Sequence, residues 1–174
     1  MLCMVLAMTD SPEDKRKVEK LYEKYNRLMY VVAFNVLRDS EDAEDVVMET
    51  WEKVIVHLDK IKKIDCQETK SFLVIVTERT AIDLYRKNQK RGRVLLALPE
   101  YESSPFFATR EKEFGNVELY HVMRNIPKKY AEILILHYIQ GLTGKEIAKL
   151  FDMKEDAVMK RLSRGRKLLR EEMK

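Results

Sequence analysis

The chain has 174 residues, of which 36% are charged and 45% hydrophobic, with only five Gly and four Pro. That apolar share supports packed cores and argues against wholesale disorder, while so few turn formers leave little material for a turn-rich all-β fold. A formal net charge of +4 does not by itself identify a nucleic-acid binder.

The opening MLCMVLAM is apolar but lacks a basic flank and is too short to span a bilayer, so no membrane insertion is expected. It reads as a frayed extension, or as an artefact of start-codon choice with Met8 as the first residue. Leu21, Tyr25, Leu28, Val32 and Val36 recur at three- and four-residue steps and predict a helix that ends near Arg38. Ser40 followed by Glu41, Asp42 and Glu44 is a helix start, and Ala43, Val47, Trp51, Val54 and Leu58 continue one face of that second helix. Trp51 stands in this stripe, which favours a core role over an exposed contact. After a polar stretch from Asp59 to Lys70, Ser71 is expected to open a third helix through Phe72, Ile75, Val76, Ile82 and Tyr85, running out in the basic cluster Arg86–Arg93. Three such helices can bury a common core.

From Asn88 to Asn116 the periodicity fails, and Gly92, Pro99, Pro105 and Gly115 supply breakers. This predicts a linker able to reach roughly 90 Å when extended. Beyond it, Val117 to Asn125 reads as a short helix, Pro127 as the first residue of the next, and Gly141 as its end. Thr143-Gly144-Lys145-Glu146 has the pattern of a capping box, and a short helix through Ile147, Ala148 and Leu150 follows. The chain turns at Phe151 to Lys154, and a last helix keeps Val158, Leu162, Gly165 and Leu169 on one side with Lys160, Ser163, Arg164 and Lys167 on the other. The expected fold is all-α: two small helical domains, 15–91 and 117–174, joined by a flexible linker at 92–116.

A capped short helix, a tight turn and a longer basic helix form a helix-turn-helix, whose second helix enters the major groove. Arg and Lys donors one turn apart reach guanine edges or phosphates. Elsewhere, the run Asp39 to Glu52 is strongly acidic, with Asp45 and Glu49 one turn apart and suited to a basic partner.

These residues carry a resemblance. Ile126-Pro127-Lys128-Lys129-Tyr130, Gly141-Leu142-Thr143 and the stretch from Arg161 to Leu168 resemble region 4 of the extracytoplasmic-function (ECF) sigma factors of bacterial RNA polymerase. The run Asp42 to Trp51 resembles region 2.2 of the same family, and Phe72-Leu73 through Ala81 to Lys87 resembles regions 2.3 to 2.4. The resemblance implies a promoter-specificity factor that binds core polymerase and promoter DNA. It implies that Asp42, Asp45, Met48 and Glu49 dock on a coiled coil of the largest polymerase subunit. It also implies that the loop Ile64 to Ser71 with Lys70, Phe72, Arg79, Arg86 and Lys87 handles the −10 element. Thr143, Lys145, Met159, Lys160, Arg161, Ser163, Arg164 and Lys167 are implied to face the −35 element, while region 4 also meets the flap of the second-largest subunit. An anti-sigma factor that could hold the chain at the membrane is a further expected partner, and the cytoplasm is the expected location. The chain departs from the family pattern at Phe72 (usually Trp), Arg79 (often Asn), Met48 (often Gln) and Met159 (often Lys or Arg).

Enzyme chemistry finds no support. His57, His121 and His137 lie in different predicted elements without ligand spacing, no phosphate-binding glycine loop occurs, and neither a metal nor a cofactor is expected. Cys3 and Cys66 are far apart and lack CxxC spacing, which fits a reducing cytoplasm. Cys66 is read as a bland residue rather than a redox switch. A stand-alone helix-turn-helix regulator is the competing reading, but it normally needs a dimer seam, and no heptad run or obligate homo-oligomer is indicated.

Overall fold

The computed structural model describes residues 1–92 and 125–173, which fall in two separate compact units. Every regular element among them is helical: α1 (Leu2–Ala7), α2 (Pro12–Leu37), α3 (Ser40–Val56), a 3-10 turn (Leu58–Lys60) and α4 (Gln67–Lys90) in the first unit. The second contains α5 (Lys128–Leu134), which runs into a π turn (Ile135–Ile139), then α6 (Gly144–Leu150) and α7 (Glu155–Glu172). The expected linker and the helix expected over Val117–Asn125 lie, but for Gly92 and Asn125, outside the described residues.

Local chemistry explains the helix ends of the first unit. Ser11 accepts hydrogen bonds from the backbone N–H groups of Glu13 and Asp14, and Pro12 occupies the first helical position of α2. Arg38 closes α2 in the left-handed region at φ 58. Asp39, rather than Ser40, then caps α3, its carboxylate accepting from the Asp42 N–H at 2.9 Å. Helix α4 begins at Gln67, four residues before the expected start at Ser71, so Lys70 and Ser71 belong to its first turns and not to the preceding loop.

Helices α2, α3 and α4 each pack on the other two. The apolar stripe of α2 is buried at Leu21, Tyr25, Val32 and Val36 as read, but Met29 takes the deep position and Leu28 is half-buried. Trp51 is fully buried, stacks on Tyr22 with ring centroids 5.6 Å apart, and donates its indole N–H to Asn26 Oδ1 at 3.0 Å. The same enclosure pushes the Tyr22 phenol above its ordinary range. Residues 71–78 of α4 are buried at every position, which marks it as the central helix. The opening residues depart from the expected frayed extension: they form α1, which packs on α2 and α3 through the fully buried Val5.

In the second unit, Thr143 and Glu146 form the expected capping box: the Thr143 hydroxyl accepts from the Glu146 N–H at 3.2 Å, and the Thr143 N–H donates to Glu146 Oε2 at 2.7 Å. Pro127 lies one position before α5 rather than inside it. Gly141 holds φ +74, a conformation that favours glycine, and carries the chain out of the π turn. The turn between α6 and α7 passes through Asp152 at φ 47, a residue type that tolerates it. Helix α7 packs on α5 and α6 with Val158, Leu162 and Gly165 buried.

Gly165 sets the approach of α7 to α5, because a methyl carbon added there would lie 3.1 Å from Leu134 Cδ1 and 3.2 Å from Leu134 Cγ. Gly165→Val should therefore destabilise the second unit by about 1–3 kcal/mol through overpacking. Urea unfolding followed by helical circular dichroism checks this, and Leu134→Ala in the same chain should recover part of the loss.

Candidate polymerase and DNA interfaces

The outer face of α3 is acidic. Glu41, Glu44, Asp45, Glu49 and Glu52 are exposed, and Met48 among them is half-buried. Glu49 is paired with Lys53 at 2.8 Å, and Lys53 also donates to Thr80 Oγ1 on α4 at 3.0 Å. Asp42 differs from its neighbours. It is half-buried, and its Oδ2 accepts from the Asn88 side-chain amide at 2.8 Å, tying the first turn of α3 to the last turns of α4. Of the four expected docking residues, Asp45 and Glu49 are exposed, Met48 is half-buried, and Asp42 bonds across to α4.

The residues expected at the −10 element are divided by the fold. Arg86 and Lys87 are exposed near the end of α4, and Lys70 and Arg79 are half-buried. Phe72 is 0% exposed, so its ring fills the core of the bundle and has no open face on which a base could stack. The loop before α4 is tied down by α2. Lys17 donates to the Leu58 carbonyl at 2.8 Å, Tyr25 donates its hydroxyl to the Ile64 carbonyl at 2.8 Å, and Lys24 pairs with Asp65. The Thr69 hydroxyl adds a 2.6 Å bond to the Lys63 carbonyl.

On the second unit, Thr143, Lys145, Met159, Lys160, Ser163, Arg164 and Lys167 are all exposed. One arginine is turned aside. Arg161 is half-buried and donates to Met153 Sδ at 3.5 Å, across the turn that precedes its own helix. Arg164 lies beside the Tyr130 phenol of α5, and Lys129 sits 5.0 Å from the centre of the same ring. These groups, with Pro127, Lys167, Leu168 and Glu171, line an open concavity of about 430 Å³ on the flank of α7. Neither the Tyr130–Arg164 contact nor the Asp42–Asn88 bond is signalled by periodicity or charge pattern. Each joins residues that are unremarkable in their own segments.

Residues 21–91 match the family of sigma-70 region 2, and residues 116–169 match sigma-70, region 4. The chain is 30% identical over 142 residues to the RNA polymerase sigma factor SigV of Bacillus subtilis (strain 168), covering 81% of each chain. This chain belongs to the sigma-70 family, in its ECF branch. The ECF RNA polymerase sigma factor SigX of the same organism is 25% identical over 163 residues, 88% of this chain and 81% of that one. The ferric citrate uptake sigma factor FecI of Escherichia coli (strain K12) is 26% identical over 150 residues, with 84% and 85% covered. As a sigma factor the protein is a non-enzymatic initiation factor that directs RNA polymerase to promoters. Among the described residues, no helix is long and apolar enough to cross a membrane, and no three His, Cys, Asp or Glu side chains are grouped to hold a metal ion.

The Arg164 contact has a measurable signature. Hydrogen bonding to the guanidinium, reinforced by the nearby charges of Lys129 and Arg164 and opposed by partial desolvation, holds the Tyr130 phenol below the ordinary tyrosine range. A depressed folded-state value adds stability that is fully present above the unfolded value, near pH 10, and is lost as pH falls through the folded value. Stability at neutral pH is therefore unaffected by this titration. A difference absorbance titration of the sigma factor against its Tyr130→Phe variant should show the low transition, and Arg164→Ala should move it upward.

Proposed function

We propose that the first unit docks on the coiled coil of the largest polymerase subunit through α3 and meets the −10 element with the tied loop and α4, while the second lays α7 in the major groove of the −35 element. The observation that carries this reading is the segregation of charge by face: exposed carboxylates gather on α3, and exposed cations gather on α7. Opposite charges on separate surfaces suit two partners of opposite sign, a basic protein surface and the phosphate backbone. Catalysis is not required of either surface. The binding energy serves to position polymerase and to hold a melted strand, with Arg86 and Lys87 as phosphate partners.

Within the second unit, residues near the start of the recognition helix reach deepest in helix-turn-helix docking. Lys160 and Ser163 are accordingly assigned to base edges, and Lys167, further along, to phosphate. Arg164, exposed one turn beyond Lys160, is a further candidate for base edges. Docking of the same unit on the flap of the second-largest subunit, control by an anti-sigma factor able to hold the protein at the membrane, and a cytoplasmic place of action complete the proposal. All three are supported by membership of the ECF branch.

Run-off transcription by purified bacterial core polymerase, with and without the protein, on a promoter library tests the whole reading, and promoter-independent output would sink it. Replacing Asp45 and Glu49 together by Lys should weaken core binding by a few kcal/mol, on the order of a hundredfold, without loss of helical signal, because both side chains are exposed. Unchanged affinity in a titration removes them from the docking surface. Lys160→Ala should cost about 1–3 kcal/mol at one or two −35 positions, whereas Lys167→Ala should weaken all promoters alike and lower the salt slope by about one. Affinities on single-base variants at several salt concentrations separate the two.

A further inference from the structure

The outward face of α7 carries one exposed apolar side chain among its cations. Over its first turns the exposed residues beyond the acidic start Glu155-Asp156 are Met159, Lys160, Ser163 and Arg164, while Arg161 is drawn back to Met153. Met159 is 49% exposed, although its helix has a buried apolar stripe of its own at Val158 and Leu162. Its thioether is seated rather than free: a methyl carbon added at Gly144, the first residue of α6, would lie 3.0 Å from Met159 Sδ. Gly144 is buried beneath it, so the absent side chain makes the place that the sulfur occupies. Exposed Thr143 and Lys145 flank that place on α6. The result is a fixed apolar surface, bordered by a hydroxyl and cations, at the junction of the two helices of the motif.

A thioether donates no hydrogen bond and accepts only weakly, so it cannot satisfy the polar edges of guanine, adenine or cytosine. The one apolar group on a base edge in the major groove is the 5-methyl of thymine. We infer that Met159 is a specificity-determining residue that selects a T·A pair in the −35 element by packing on the thymine methyl. This rests on the proposed placement of α7 at that element, and the test separates the two.

The experiment uses the full-length sigma factor bound to bacterial core polymerase, with −35 sequences selected from a randomised library. Each thymine of the selected element is then replaced by deoxyuridine, which removes the methyl and leaves the polar edge intact. Burial of one methyl corresponds to about a fourfold change in affinity. The parent should lose about that factor at one thymine, Met159→Ala should lose nothing further there, and Met159→Leu, which keeps an apolar tip, should retain the sensitivity. No methyl-sensitive position in the parent, or an equal loss in parent and Met159→Ala, overturns the role of Met159 while leaving the placement standing. A holoenzyme that selects no −35 sequence at all overturns the placement as well.

Discussion

A helix that gives one stripe to a core keeps the opposite stripe for partners, and both units of this sigma factor are built on that division. In α7 the stripe Val158, Leu162 and Gly165 is so thin that glycine is needed for α5 to come close, and everything outside it is polar or charged apart from Met159 and the half-buried Ala157, Leu168 and Leu169. In α3 the stripe Val47, Trp51 and Val54 sinks completely, and five carboxylates, Glu41, Glu44, Asp45, Glu49 and Glu52, stand exposed outside it. Central α4 completes the core of the first unit, since its middle turns are enclosed on all sides. Near its end it exposes Arg86, Lys87 and Lys90. The sign of each surface follows from which residues the core left outside.

Much of this was legible beforehand because periodicity reports burial directly. The stripes of α2 and α3, the core role of Trp51, the capping box at Thr143 and the separation of an outward basic face on α7 all follow from spacing and cap chemistry. Boundaries were less legible. Cys66 caps α4 without a side-chain hydrogen bond, so the signal that placed the start at Ser71 was a hydroxyl inside the first turns rather than a cap. At Asp39-Ser40 two good capping residues stand side by side, and only geometry shows that the carboxylate does the capping. The short apolar opening was misread because a six-residue helix has no period to detect, and only tertiary contact through Val5 reveals its place.

Site residues were harder still, because a family pattern gives positions and says nothing about orientation. Phe72 occupies a position implied to meet DNA, yet its ring is enclosed. Arg161 stands among exposed basic neighbours in sequence, yet it is half-buried and donates to Met153. The loop before α4 reads as an unstructured polar stretch, whereas Lys17, Tyr25 and Lys24 fix it from α2. A loop already ordered in the free protein loses little conformational freedom when a strand arrives, so more of the contact energy remains as affinity.

Helices open from their ends, and each end ordinarily does so alone. The hydrogen bond between Asp42 and Asn88 changes that for the first unit, because it clasps the beginning of α3 to the closing turns of α4 across 46 positions of chain. Arg86 and Lys87 on one side, and Asp45 on the other, lie within a turn of the clasp. Local opening of either end therefore has to break the same bond, and the acidic and basic surfaces of this unit share a single cooperative event in the native ensemble.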